Sequence, residues 1–259
     1  MTDVELKRWD SSEKSPTYFA RNEVLIDTPH SGITSFELYD HESNLLKRLL
    51  QRDHYIISKA RQMGISTTLL VYCLWKMLFN TNFKIVLLSS NTAMNHNLSR
   101  RIQDIYYRLD DIFKHGTNEI DRASKKAFYL KSGSGISFVP TGTDPHSYGV
   151  GKSQHIDLLI GEEIAYINKF EIWADTFAQL LKPDSSVVFA STPSRDSSWF
   201  DSTFMRALRG QNKFVPMQLD WTLHPDRDTQ WRREQDKMMG AIDAKINLEG
   251  SVKEIKKPT

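Results

Sequence analysis

Cysteine is almost missing from this chain. Its 259 residues contain one, Cys73, which excludes an internal disulfide and any zinc centre built from several thiolates. Within an apolar helical run, that thiol reads as packing rather than chemistry. No apolar run reaches the roughly 20 residues that a membrane helix needs. The amino terminus, Met1-Thr2-Asp3-Val4-Glu5-Leu6-Lys7, lacks the apolar core of a secretion signal. These absences imply an intracellular protein that does not enter a membrane. An excess of one charge is lacking too, since the formal net charge is only +2 and gives no electrostatic case for nucleic acid by itself. The 8 histidines fall in no H-x-x-x-H or similar ligand spacing. What is present is 25% charged and 39% hydrophobic residues, the composition of a globular chain with one substantial core.

The apolar pattern gives the order of elements. Leu38, Leu45, Leu46, Leu49 and Leu50 recur at helical spacing between Phe36 and Leu50, and Tyr55-Ile56-Ile57-Ser58 reads as a buried strand. After a turn, Leu69 to Phe79 reads as a helix. An almost continuous apolar strand follows at Phe83 to Ser90, then an amphipathic helix from Ala93 to His115. Phe128/Leu130 and Ile136/Phe138 predict a hairpin, and a glycine-rich loop runs from Thr141 to Ser153. A strand at Ile156 to Ile160, a helix from about Phe170 to Leu181 and a strand at Ser186 to Ala190 complete the series. Strands alternating with helices predict an α/β fold with a mostly parallel central sheet flanked by helices. Beyond Phe200 come a helix to Arg209, an extended run at Phe214-Val215-Pro216-Met217 and a polar helix from about Asp228 to Met239.

Strand, turn and helix around residues 55–79 are the setting of a phosphate-binding loop, G-x-x-x-x-G-K-[ST]. In Lys59-Ala60-Arg61-Gln62-Met63-Gly64-Ile65-Ser66-Thr67, Gly64 and Ser66 stand in register, Ile65 fills the lysine slot and Lys59 the first glycine slot. This is either a rearranged nucleotide site or a common turn. Open parallel sheets bind ligands beyond the carboxyl ends of their strands. Here those ends are Lys59-Ala60-Arg61-Gln62, Ser89-Ser90-Asn91, Glu162-Glu163 and Ser191-Thr192-Pro193. Paired acids opposite a phosphate loop supply what an NTPase needs: Glu162, with Ser66, to hold Mg2+ and Glu163 to orient the attacking water. The alternative is that two acids merely cap a strand. Gly149-Val150-Gly151-Lys152-Ser153 contains the more orthodox Gly-Lys-Ser, but a strand rather than a helix follows it, so it reads as a loop that could contribute Lys152.

With these residues in place, the stretch from Tyr18 to Arg195 resembles the ATPase domain of bacteriophage terminase large subunits, motors that pump DNA into capsids. The loop at 59–67 is similar to that family's deviant phosphate loop, and Leu159-Ile160-Gly161-Glu162-Glu163 to its Walker B segment and catalytic glutamate. Ala190-Ser191-Thr192-Pro193 resembles its coupling motif; the resemblance implies that N–H groups of residues 61–66 surround the β-phosphate of ATP, that Lys59 or Arg61 neutralises its charge, and that Thr192 senses the γ-phosphate. Leu38-Tyr39-Asp40-His41-Glu42 sits where the family contacts adenine, which makes His41 and Glu42 nucleotide-binding candidates, with Glu42 in place of the usual glutamine. Tyr148-Gly149 stands where the family has an arginine finger, and Lys152 or Arg195 are the candidate substitutes. The resemblance implies a P-loop NTPase core of the RecA-like kind with a small C-terminal subdomain. It divides the chain into an arm (1–22, frayed over 1–15), an ATPase domain (23–210) and a linker subdomain with a tail (211–259). It also implies ATP and Mg2+ as cofactors, and double-stranded DNA, a portal protein and a small terminase subunit as partners. A homo-oligomeric ring in the host cytoplasm is implied as well, and no nuclease activity is expected, because the chain stops before the family's nuclease domain. Arg100, Arg101, Arg108, Lys125 and Lys126 either follow a DNA backbone or form a solvated face balanced by Asp104, Asp110 and Asp111. A helicase-like remodeller and an ATP-binding assembly switch are the rival functions.

Overall fold

The first element is a helix where a frayed arm is expected. In the computed structural model, which describes residues 1–28, 31–141, 155–194 and 198–250, α1 (Asp3–Lys14) begins with a reciprocal capping box between Thr2 and Glu5. Trp9 then stacks on Phe113 with ring centroids 5.5 Å apart and meets Phe79 edge-on at 5.1 Å. Together with Trp9, Arg8, paired to Glu23 and Asp110, and the Ser12 carbonyl, accepting Trp75 Nε1–H, dock a segment whose composition is otherwise polar. Next come α2 (Pro16–Glu23), capped by Ser15, and a two-stranded antiparallel ribbon of β1 (Leu25–Thr28) and β2 (Gly32–Ser35).

The alternating series starts at α3 (Asp40–Leu49), β3 (His54–Lys59), α4 (Ile65–Leu78), β4 (Lys84–Ser89) and α5 (Thr92–Arg108). It continues through β5 (Ile120–Ala123), β6 (Ala127–Leu130), β7 (Gly135–Pro140), β8 (Ile156–Glu162), α6 (Phe170–Ala178) and β9 (Leu181–Ser191). The last elements are α7 (Ser198–Leu208), β10 (Phe214–Leu219), α8 (Thr229–Met239) and α9 (Ala241–Glu249).

One eight-stranded sheet runs in the order β10-β3-β9-β8-β4-β7-β6-β5. From β10 to β7 every neighbouring pair is parallel, and β6 and β5 add an antiparallel edge. The predicted hairpin forms with Phe128 opposite Ile136. Side chains alternate between two cores. Tyr55 and Ile57 of β3 join α3, α4 and α5 on one face, while Ile56 joins Phe189, Trp173 and Phe204 on the other. Helices covering both faces explain why the central strands read as unbroken apolar runs.

The chain leaves β3, crosses by α4 to β4, and later inserts β9 and β8 between them. That reversal of strand order opens a crevice at the carboxyl ends, with Ser58 level with Ser191 and Glu162 level with Ala190. β10 corrects the domain division. It pairs with β3 along its whole length, Phe214 beside His54 to Leu219 beside Lys59, so a boundary at residue 210 would cut through the sheet. Pro216 lies within it, as an edge position tolerates. Three helices are shorter than expected: α3 begins at Asp40 rather than Phe36, α5 ends at Arg108 because Leu109 turns extended, and α6 ends at Ala178, ahead of β9 at Leu181. Among the described residues no helix is long and apolar enough to cross a membrane. Tyr148, Gly149, Lys152, Ser153, Arg195 and the tail beyond residue 250 lie outside the described residues.

Candidate active site

The loop between β3 and α4 is shaped by two residues with left-handed backbones, Gln62 at φ 58° and Gly64 at φ 73°. At Gly64 a Cβ would collide with Glu42 Oε1, so only glycine fits. The Glu42 carboxylate accepts the Tyr39 N–H at 2.8 Å and the Thr68 hydroxyl at 3.1 Å, and burial raises its pKa. His41 puts Nε2 2.8 Å from the Met63 carbonyl and Nδ1 3.2 Å from that of Leu223. Both residues are therefore buried behind the loop rather than offered to a base, which corrects their place in the sequence reading. Tyr39, packed on His224 at 4.9 Å, is the partly exposed aromatic of that segment.

The backbone donors need a second correction. Arg61 N–H is occupied by Asn247 O at 3.0 Å, so the set expected to start at residue 61 starts at Gln62. Among the described residues, the N–H groups of Gln62, Gly64, Ile65, Ser66 and Thr67 donate to no protein atom; the last three are the open first turn of α4.

Across the crevice, β8 ends in the paired acids. Lys59 Nζ lies 2.6 Å from Glu163 Oε1. The other oxygen of Glu163 accepts Thr192 N–H at 3.0 Å and Ser191 Oγ at 3.2 Å. Glu163 adopts φ 53°, a left-handed turn that swings its side chain off the strand while its N–H stays on Ala190 O at 2.8 Å. Ser66 Oγ lies 3.2 Å from Glu162 Oε2, and Glu162 Oε1 is buried with no partner. Burial pushes the Glu162 pKa up to about 7, with Lys59 opposing, Glu163 adding, and Ser66 and Arg101 opposing. A hydroxyl beside a carboxylate with one unpaired buried oxygen suits Mg2+, which takes one or two protein ligands and completes its shell with water and phosphate oxygens. No group of three or more His, Cys, Asp or Glu able to hold a metal occurs among the described residues.

A cavity of about 280 Å³ opens beside the acids, lined by Arg61, Gln62, Glu163, Tyr166 and Thr192. Thr192 Oγ1 is buried there with no partner. The structure thus gathers Lys59, Ser66, Glu162, Glu163 and Thr192 in one place, with Arg61 exposed at the mouth. It adds residues the sequence did not single out for this site. Tyr166 reaches Pro193 O at 3.4 Å. Arg101 turns inward to donate to Thr67 Oγ1 instead of facing outward with the other basic residues of α5, and burial lowers its pKa. Arg100 and Lys125 line a separate surface groove of about 590 Å³ with Tyr107.

The raised Glu162 pKa has a measurable sign. Between its ordinary 4.5 and about 7 the folded state holds a proton that the unfolded state has lost. Metal-free stability is therefore complete below the lower value and declines as pH rises to the upper one, by on the order of 3 kcal/mol. Glu162→Gln should remove this slope: thermal melts should show the variant gaining on the parent between about pH 5 and about pH 8. Parallel pH profiles would count against the burial argument.

No protein-family model matches the chain. Solved structures do. The ATPase domain of the Thermus phage P74-26 large terminase superposes with a TM-score of 0.61 at 16% identity, covering 77% of this chain and 88% of that one. The HK97 bacteriophage large terminase gives 0.71 at 11% identity over 92% of this chain and 54% of that one. This chain has the large-terminase ATPase fold. The ADP-bound large terminase of a thermophilic bacteriophage matches at 0.63 with 10% identity, over 83% of this chain and 54% of that one. The terminase fold accounts for the sheet and its crevice, and the chain spans about half the length of the two larger terminases.

Proposed function

We propose that the chain is the ATP-hydrolysing motor domain of a terminase large subunit, driving double-stranded DNA into a capsid in the host cytoplasm. One observation carries this reading. Each chemical group of the loop meets one of the two acids, Lys59 with Glu163 and Ser66 with Glu162, beneath a row of uncommitted N–H donors.

In this reading the β-phosphate of ATP sits on the N–H groups of Gln62 and Gly64 through Thr67, at the positive end of α4. Lys59, with Arg61 at the mouth, supplies the cation that Ile65 does not. Ser66 and Glu162 hold Mg2+, whose contribution when bound is to screen phosphate charge. Glu163, paired with Lys59, orients water and accepts its proton. Thr192 senses the γ-phosphate with its unpartnered hydroxyl and shares Glu163 through its N–H, which ties the site to β9 and the segment beyond. A ring of copies, with a portal protein and a small terminase subunit, is the assembly in which a neighbour supplies a further cation.

Mg2+-dependent ATP turnover measured with and without double-stranded DNA tests the proposal. Turnover stimulated by DNA, without strand separation, is the expected outcome. Unwinding of the duplex would favour a helicase-like remodeller. Tight ATP binding with no turnover even on DNA would end the motor reading in favour of an assembly switch.

A further inference from the structure

The phosphate loop is gripped from behind by the segment that follows the last sheet strand. Arg227 Nη2 donates to Arg61 O at 3.0 Å and to Gln62 O at 3.2 Å, and its Nη1 lies 3.5 Å from Met63 Sδ. The guanidinium rests 4.7 Å over the Trp231 ring. His41 holds the next carbonyl, Met63 O, and braces itself on Leu223 O. Three successive loop carbonyls are thus bound on the side away from the acids.

A trans peptide points its C=O and the following N–H in opposite directions. Fixing Arg61 O, Gln62 O and Met63 O on the outside therefore aims the N–H groups of Gln62, Met63 and Gly64 inward, in line with the free donors of α4. The left-handed backbone of Gln62, φ 58°, is costly for a residue other than glycine, and Arg227 Nη2, shared between the two flanking carbonyls, offsets that cost. Alternating right- and left-handed residues with converging N–H groups form an anion nest. Donors already aimed at the anion need no rearrangement when it arrives.

We infer that Arg227 is a positioning residue for phosphate binding, a role that rests on the nucleotide reading above: it aims the loop N–H groups without touching the phosphates. A lysine could reproduce it only in part, because its ammonium lacks the planar guanidinium that lies over Trp231 and reaches Met63 Sδ while Nη2 holds the two carbonyls.

The test uses the full chain with Arg227→Ala and Arg227→Lys, each checked for folding by circular dichroism, and Arg233→Ala as an exposed control on the helix that follows. Direct ATP titration and steady-state kinetics are measured in parallel. Arg227→Ala should weaken ATP binding and raise KM by about tenfold to a hundredfold with kcat little changed, Arg227→Lys should recover only part of the loss, and the control should match the parent. A folded Arg227→Ala with unchanged affinity overturns the inference while leaving the nucleotide reading intact; should that variant fail to fold, parental affinity in Arg227→Lys overturns it equally. A parent chain that binds no ATP sinks both.

Discussion

Glu163→Gln should leave MgATP bound and slow its turnover about a thousandfold, the middle of the range for losing a positioned general base. The geometry makes this substitution selective. Glutamine keeps an acceptor for the Thr192 N–H and the Ser191 hydroxyl, 3.0 and 3.2 Å away in the parent, so the turn that presents the side chain survives. What disappears is the negative charge that Lys59 supports at 2.6 Å and with it the capacity to take a proton from water. Affinity and turnover are to be measured separately, by ATP titration and by single-turnover hydrolysis. A folded variant that still hydrolyses within about tenfold of the parent would remove Glu163 from the chemistry.

Lys59→Met should be the most damaging single change to the folded state. The lysine side chain is 6% exposed and sits against Glu163, with the fully buried Glu162 also feeling its charge. Removing the cation leaves Glu163 unpaired against the buried Glu162, which costs about 3 kcal/mol by analogy with broken buried pairs and lowers the melting temperature by about 10 °C in a domain of this size. ATP affinity should fall with it. Arg61→Ala, at an exposed position, should weaken ATP binding without moving the melting temperature, which separates the two cations of the loop. Combining Lys59→Met with Glu163→Gln should restore much of the lost stability, because the second change removes the repulsion the first creates. Additive losses would show that Lys59 acts through packing alone.

The parts of the site legible in the sequence are those carried by local pattern. Gly64 and Ser66 follow a strand and open a helix, and the acids end a strand covered on both faces. Long-range bonds to backbone leave no such trace. Arg227 and Asn247 reach the loop from more than a hundred positions away, and neither stands in a recognisable motif. Arg101 looks like any basic residue on an amphipathic helix until its direction is known. His41 and Glu42 mislead for a related reason: their order beside Tyr39 suggests a base-binding edge, whereas the start of α3 turns Glu42 back onto Tyr39 N–H and Thr68. The extended run at Phe214 to Met217 is legible, but its pairing with β3 is not, and α1 docks through long-range contacts of Trp9, Arg8 and Ser12 that leave no local pattern.

The insertion of β9 and β8 between β3 and β4 also dictates when the site can exist. Lys59 and Glu163 are 104 positions apart, and Ser66 and Glu162 are 96 apart. Until both late strands have found their slots, the loop has no acids opposite it and the acids have no cation. Such non-local closure is slow compared with helix formation. The proposed nucleotide site is consequently assembled late: a half-formed molecule can have most of its helices and none of the pairings that build the site.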